Sequence, residues 1–183
     1  MIKLLLLAAA VGSLNPSKNQ PPCIPVASDN LQATTSDIEE HKKLREALNE
    51  PMPDETPMVM LHGTGGHLAE EEYSIVVARA SDGQWHGTAV GRQRIRVVGA
   101  KFTPMTRAAW VLDETSGKRL SEALSRTCPF NRTTSDKSGP VPPPPPLGYI
   151  SEKIDVVFRK GEQYSFYVSA GGEAIAALIR PGR

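Results

Sequence analysis

Hydrophobic and polar residues alternate through the middle of the chain, which is the pattern of half-buried β-strands. The clearest run is 73–80, and the turn Ser81-Asp82-Gly83 follows it. An Asp-Gly pair tolerates the left-handed backbone of a tight turn, so residues 85–90 are predicted to return antiparallel. Further strands are predicted at 58–61, 94–102 and 108–112 and, as a second hairpin, at 154–158 with 164–168.

Two segments have helical rather than strand spacing. The first begins at Ser36, where Ser36 and Glu39 form a capping-box pattern, and it ends before Pro51. Its apolar stripe is narrow, so we expect a peripheral helix. The stripe contains Ile38, His41, Leu44 and Leu48. The second helix is predicted at 116–126, and it packs on the sheet through Leu120 and Leu124. The apolar tail 174–179 fits either a last strand or a short helix.

The sum of these elements predicts an α+β fold, with an antiparallel sheet of about six strands, one packed helix and one peripheral helix. We divide the chain into a signal peptide at 1–13, an extended arm with a charged helix at 14–56, and an α+β domain at 57–183. A proline-rich loop is predicted at 131–148, because it contains five consecutive prolines that favour polyproline II.

The N-terminus has the order of a secretory signal peptide. Lys3 precedes the unbroken apolar run 4–11, and the small residues Gly12 and Ser13 follow it. The run is shorter than the roughly 20 residues that span a bilayer, so no transmembrane segment is predicted here. We therefore expect a periplasmic or secreted protein. The alternative is that 4–11 belongs to the folded domain of a cytosolic protein.

The chain has two cysteines, Cys23 and Cys128. In an exported protein such a pair indicates a disulfide bond. In the chain-entropy model, closing a loop of this length stabilises the fold by about 4 kcal/mol. Two unpaired thiols are the alternative if the protein is cytosolic.

The net charge of +1 gives the whole molecule no strong attraction to nucleic acid, but the charge is unevenly distributed. Residues 91–112 include five basic residues and no acidic one. Within this segment Arg92, Arg94 and Arg96 fall on one face of a predicted strand. The stripe predicts an anion-binding face, whose partner is an unknown anionic envelope component or protein. The alternative is a solvated face, or one that pairs internally with the acidic arm and first helix.

The string at 61–67, Leu-His-Gly-Thr-Gly-Gly-His, resembles the His-Gly-rich oxyanion loop of α/β-hydrolase lipases and esterases. That family also needs a G-x-S-x-G nucleophile elbow, and the sequence contains none. The string is therefore interpreted as a glycine-rich turn between strands. His62, His67 and His86, with the nearby glutamates 70–72, are the residues that a hydrolase or a zinc site would use.

No complete catalytic, metal-binding or nucleotide-binding motif is present, and the sequence calls for no cofactor. We therefore interpret the protein as a non-catalytic envelope protein that acts by binding or structure, with the basic strand face as its candidate binding surface. A small periplasmic hydrolase or metal-dependent enzyme that uses the histidines near the glycine-rich string is the alternative.

Overall fold

The computed structural model describes residues 24–27, 34–130, 148–158, 163–170 and 172–181. The predicted signal peptide, residues 131–147 and Cys23 lie outside the described residues. The elements in chain order are β1 (Ile24–Ala27), α1 (Thr34–Ala47), β2 (Met58–Gly65), β3 (Ala69–Arg79), β4 (Trp85–Ile95), β5 (Thr103–Pro104), β6 (Ala108–Val111), α2 (Glu114–Arg126), β7 (Thr127–Phe130), β8 (Ile150–Val157), β9 (Gln163–Tyr167), a 3-10 turn (Val168–Ala170) and α3 (Glu173–Ile179).

A seven-stranded antiparallel sheet forms the centre of the protein, so the predicted α+β class is confirmed. Its strand order is β5-β4-β3-β2-β8-β9, and β6 pairs with a second part of the outer edge of β4. The strands β1 and β7 form a separate parallel pair. None of the helices in the described ranges is long and apolar enough to cross a membrane.

The predicted hairpin between residues 73 and 90 is confirmed, and it is longer than expected. Strands β3 and β4 pair over eleven positions, from Arg79 opposite Trp85 at the turn to Ala69 opposite Ile95. At the turn, the Gln84 amide donates to the Asp82 carboxylate, and Gly83 has a φ of 85°. This left-handed conformation explains why glycine follows the aspartate.

One face of the sheet, which we call the apolar face, is covered by α2 and α3. Side chains alternate along each strand, so every second residue of β2, β3 and β8 points to this side. Trp85, at the start of β4, also packs here and donates a hydrogen bond to Ser121 of α2 at 3.2 Å. The buried members of this core are Val59, Leu61, Ile75, Val77, Trp85, Leu112, Leu120, Leu124, Ile154, Val156, Phe166, Ile175, Ala176 and Ile179.

The opposite side, which we call the polar face, is covered by α1. As predicted, this charged helix buries only a narrow stripe, but the stripe is largely polar: His41 and Arg45 are fully buried beside Leu44. A small apolar cluster of Met58, Met60, Val76 and Ala78 lies on the same face. The other buried side chains that the sheet contributes to this face are the apolar Val90 and the polar His62, Ser74, Asp155 and Ser165.

Two boundaries predicted from the sequence are wrong. The segment predicted as one strand at 94–102 belongs to a strand only as far as Ile95, because the ladder with β3 ends where Ala69 is opposite Ile95 and the chain then turns, with the Ala100 amide donating to the Val97 carbonyl at 3.1 Å. The predicted turn at 63–66 is mostly strand, since Gly63 to Gly65 belong to β2. Gly63 has no side chain because a Cβ there would overlap the Tyr73 ring on the neighbouring strand.

Three further elements differ in detail from the prediction, namely the N-terminal arm, the C-terminal tail and helix α2. The predicted arm at 14–56 contains the short strand β1, and its helix begins at Thr34, two residues before the predicted start at Ser36. The apolar tail forms the helix α3 rather than a strand. Helix α2 begins two residues earlier than predicted, because the Asp113 carboxylate accepts hydrogen bonds from the Ser116 amide at 2.9 Å and from its hydroxyl at 2.6 Å.

Candidate functional site

A chain of hydrogen-bonding side chains lies buried between α1 and the polar face. His41 of α1 contacts Ser74 of β3 through Nδ1, 2.7 Å from the Ser74 hydroxyl. Its Nε2 lies 3.4 Å from a carboxylate oxygen of Asp155 on β8. The Ser165 hydroxyl of β9 donates to the other oxygen of Asp155. All four residues are at most 5% exposed.

The protonation of His41 follows from its two neighbours. An ionised carboxylate only accepts hydrogen bonds, so the proton of the neutral ring is placed on Nε2, facing Asp155. Nδ1 then accepts from the Ser74 hydroxyl. Burial lowers the pKa of His41 below its ordinary value, and this effect outweighs the opposing influence of Asp155. His41 is therefore neutral at pH 7.

The order Ser74, His41, Asp155 is that of the hydroxyl, imidazole and carboxylate in a serine-hydrolase triad. These three side chains are 0%, 0% and 1% exposed. While α1 is seated on the sheet, no substrate carbonyl reaches the Ser74 hydroxyl. In this conformation the group has a structural role. The hydrogen bond between His41 and Ser74 holds α1 to β3, and the 3.4 Å contact with Asp155 places His41 against β8, although neither His41 Nε2 nor the facing carboxylate oxygen has a hydrogen-bond partner in the described residues.

His62 of β2 extends this group toward solvent. Its ring lies edge-on to that of His41, with 5.4 Å between centroids. Its two nitrogens lie 3.7 Å from Glu40 of α1 and 3.4 Å from Glu72 of β3. The interactions with His62 and with Arg92 hold the pKa of Glu72 below its usual range. We expect Glu72 to remain ionised beneath α1.

The histidines that the sequence grouped together are not brought together. His62 is in register with Ser74, which is in register with Val90, and His86 lies four residues further along β4. That separation is about 13 Å along the strand alone. His86 is exposed and lies 3.4 Å from Asp82. His67 is exposed at the turn before β3. Within the described ranges, no three His, Cys, Asp or Glu side chains are arranged to hold a metal ion.

Two of the three arginines in the predicted stripe are paired with carboxylates of the neighbouring strand, so the stripe is only partly available to an external anion. Arg92 pairs with Glu72 at 2.6 Å, and Arg94 pairs with Glu70 at 2.7 Å. Both guanidinium groups lie 4.4 Å from the centroid of the Phe102 ring, which is a cation–π arrangement. These arginines share one strand face, as predicted. Their partners come from the neighbouring strand rather than from the acidic arm or α1.

Arg96, the third residue of the stripe, lies beyond the end of β4 in a different environment. We use the name basic tip for Leu68 together with residues 94–102, the segment that continues from β4. The tip holds two exposed cations, Arg96 and Lys101, and neither makes an ion pair with a carboxylate of the described residues. Its exposed apolar side chains are Leu68, Ile95, Val97 and Val98.

A second ionic group closes the edge of the apolar face near α3. Glu152 of β8 accepts hydrogen bonds from the Tyr73 hydroxyl and from the Arg180 guanidinium, the latter at 2.5 and 2.6 Å. Burial, followed by the adjacent Glu152, raises the pKa of Tyr73. Tyr73 therefore stays protonated and acts as a donor. The group holds the residue after α3 to the sheet.

Some of these residues had a signal in the sequence. His41 lies on the predicted apolar stripe of the first helix, which indicated burial. Asp155 stands between Ile154 and Val156, and the other positions of the predicted strand 154–158 are apolar. A carboxylate in that position needs a buried partner. What the sequence did not contain was the pairing of Asp155 with a histidine more than a hundred residues away.

Similarity to known proteins does not help to choose between the buried group beneath α1 and the basic tip as the functional site. Comparisons of the chain with protein-family models, with curated proteins and with solved structures give no match. The functional interpretation therefore depends on the geometry of the hydrogen-bonded group beneath α1 and of the basic tip.

Proposed function

We propose that this protein is a non-catalytic, exported protein that binds an anionic component of the cell envelope through its basic tip. The observation that carries the proposal is the contrast along the arginine stripe. Arg92 and Arg94 are neutralised by glutamates, whereas Arg96 and Lys101 are exposed without a carboxylate partner in the described residues. Unpaired, solvated cations on one projection attract anions, because they need not give up an existing ion pair.

The paired arginines still contribute to this surface. Each keeps part of its guanidinium in solvent, since the side chains of Arg92 and Arg94 are 32% and 41% exposed. The nearest other acid by register is Glu71, opposite Gln93. Because side chains alternate, Glu71 points to the other face of the sheet from Arg92 and Arg94. The tip therefore keeps a net positive charge on the polar side.

Export is the second part of the proposal, and it depends on the N-terminal pattern. The proposed disulfide between Cys23 and Cys128 belongs with it. N-terminal sequencing and thiol titration of protein recovered from cell fractions check this part. Uncleaved protein in the cytosol would contradict it.

Binding to a soluble linear polyanion tests the first part. Polyphosphate is added to the full chain at several salt concentrations, and affinity is measured by fluorescence anisotropy. Each cation that contacts the polymer displaces counterions, so affinity falls steeply with salt. Replacing Arg96 and Lys101 together by glutamine should weaken binding and reduce the slope of log affinity against log salt by about 2.

The matched control also removes one lysine charge and one arginine charge, but from helix α2 instead of the basic tip. Lys118 and Arg119 of α2 are also exposed, and replacing both by glutamine changes the net charge equally. If affinity responds only to net charge, the two double variants will behave alike and the proposal is wrong. Undiminished binding after substitution of Arg96 and Lys101 would also contradict it.

A further inference from the structure

The basic tip exposes apolar surface in a way that its role as a cationic site does not explain. Val98 is fully exposed, and Leu68, Ile95 and Val97 are 78%, 61% and 59% exposed. Single exposed apolar residues are common on proteins. Here four of them are neighbours, because the Arg96 amide donates to the Leu68 carbonyl at 3.0 Å and Ala69 is in register with Ile95.

Local backbone geometry projects these side chains outward. The Ala100 amide donates to the Val97 carbonyl at 3.1 Å, which closes a β-turn with Val98 and Gly99 at its centre. Gly99 has a φ of 81°, as the third position of a type II turn requires. Polar residues or proline usually occupy such turns. This turn instead presents two adjacent valines at the point of greatest exposure.

Cations flank the valines on both sides along the chain. Arg96 precedes Val97, and Lys101 follows the turn. Beside the turn lies a cavity of about 520 Å³, and Arg94 and Lys101 are among the residues that line it. Arg94 is already paired with Glu70, so Lys101 is the lining cation that a phosphate group would contact while the valines occupy an apolar phase. Apolar side chains between cations are the combination that binds the boundary between headgroups and acyl chains.

We infer that the basic tip docks on a lipid bilayer with anionic headgroups, with Val97 and Val98 entering the acyl boundary while Arg96 and Lys101 contact lipid phosphates. The inference rests on the proposed function and names its anionic component. A soluble polyanion would engage the two cations and leave Val98 in water. A bilayer satisfies both kinds of side chain at once, and a projecting turn inserts into its surface without a preformed groove.

Vesicle sedimentation tests the inference with the full chain. We expect binding to vesicles of mixed phosphatidylglycerol and phosphatidylcholine, and little binding to phosphatidylcholine alone. Replacing Arg96 and Lys101 by glutamine should weaken binding about 30-fold, because each basic residue near an anionic surface contributes roughly a fivefold factor. Replacing Val97 and Val98 by serine should weaken it about tenfold.

Val111→Ser is the control for the valine variant, since Val111 is also half-exposed but lies on β6. It should bind vesicles like the wild type. Melting curves confirm that all variants fold, and little change is expected because the replaced side chains are exposed. Equal binding by the Val97/Val98 variant and the wild type would overturn the insertion of the turn.

The outcomes separate this inference from the proposed function. If polyphosphate binds the tip and vesicles do not, the lipid inference is overturned and the proposed anion binding stands. If neither polyphosphate nor vesicles bind the protein, the proposed function and the lipid inference are both overturned. If vesicles do not bind and a photoreactive group at position 98 crosslinks to a protein in an envelope extract, the tip docks on a protein and the lipid inference is likewise overturned.

Discussion

The two faces of the sheet are stabilised in different ways. On the apolar face, α2 and α3 cover closely packed aliphatic and aromatic side chains, which gain free energy by leaving water. On the polar face, α1 is held by buried hydrogen bonds and charges, including His41, Arg45 and Asp155. Buried polar groups stabilise little when satisfied and destabilise strongly when left alone. We therefore expect mutations on the two faces to behave differently.

The largest expected effect is on the apolar face. Phe166 of β9 is 1% exposed within the main core, so Phe166→Ala should lower the free energy of unfolding by about 3–5 kcal/mol. The next residue, Tyr167, points to the other face and is 42% exposed. Tyr167→Ala should lower it by less than about 1 kcal/mol. Urea denaturation measures both, and similar losses would contradict the assignment of the core.

The second effect is a pH dependence confined to the polar face. Because the pKa of His41 is lowered in the folded state, the unfolded chain takes up this proton first as pH falls. Its stabilising contribution is complete above about pH 6.5 and is lost as pH falls toward the folded pKa. Between about pH 7.5 and 5.5, the free energy of unfolding should fall by at most about 1.4 kcal/mol per pH unit from this group.

His41→Gln should remove this part of the slope while keeping a polar side chain near Ser74 and Asp155. His86→Gln is the control, because His86 is an exposed histidine on the same face and should leave the slope nearly unchanged. Denaturant titrations at a series of pH values give the comparison. A slope that survives His41→Gln would show that another group carries the pH dependence.

The smallest expected effect is that of removing the Arg45 charge while keeping a long side chain, and a rise in the free energy of unfolding would distinguish the two faces most clearly. Arg45 is fully buried and donates to the Thr88 hydroxyl at 2.7 Å, but its Nε and Nη1 find no acceptor in the described residues. Glu50 lies 3.9 Å away. Burial lowers the pKa of Arg45, and Glu50 offsets this only in part. The charge is therefore poorly compensated.

Arg45→Met keeps a long side chain and removes the buried charge. The free energy of unfolding should stay within about 1 kcal/mol of the wild type or increase. Arg45→Ala, by contrast, also removes the packing of the stem and should lower it by about 2 kcal/mol or more. Thermal and urea unfolding check both variants. A loss above about 3 kcal/mol for Arg45→Met would mean that the cation itself is required.

Sequence patterns predicted the hairpin and the α+β class because these depend on local signals. Alternation in 73–80 and the Asp-Gly turn determine how β3 and β4 pair. Continuing that ladder backwards from Arg79 opposite Trp85 also places Glu72 opposite Arg92. The pairing of Arg92 with Glu72 could therefore have been predicted from the sequence. It is not predicted because the strand expected from the sequence begins at residue 73, which leaves the glutamates at 70–72 outside the ladder.

Other features depend on partners that are distant in the sequence. Residues 96–98 include two β-branched valines, yet they form no strand. The ladder with β3 ends at Ile95, and the backbone hydrogen bonds from Val97 to Ile95 and from Ala100 to Val97 fold the chain into turns instead. Similarly, nothing local to His41 identifies Asp155 as its partner. The three-dimensional fold decides both, because hydrogen-bond partners on different elements are set by topology rather than by propensity. The anion-binding role of Arg92, Arg94 and Arg96 stays a prediction.

The short outer strands have a consequence for how copies of this chain meet. An exposed sheet edge is a template on which another chain can add a strand, and long flat edges lead to aggregation. Here β9 has five residues, and the other edge is divided between β5 and β6, with two and four residues. Pro104 of β5 also lacks a backbone donor. These interruptions leave little continuous backbone for edge-to-edge assembly, so the sheet is protected from adding a strand of a second copy at either edge.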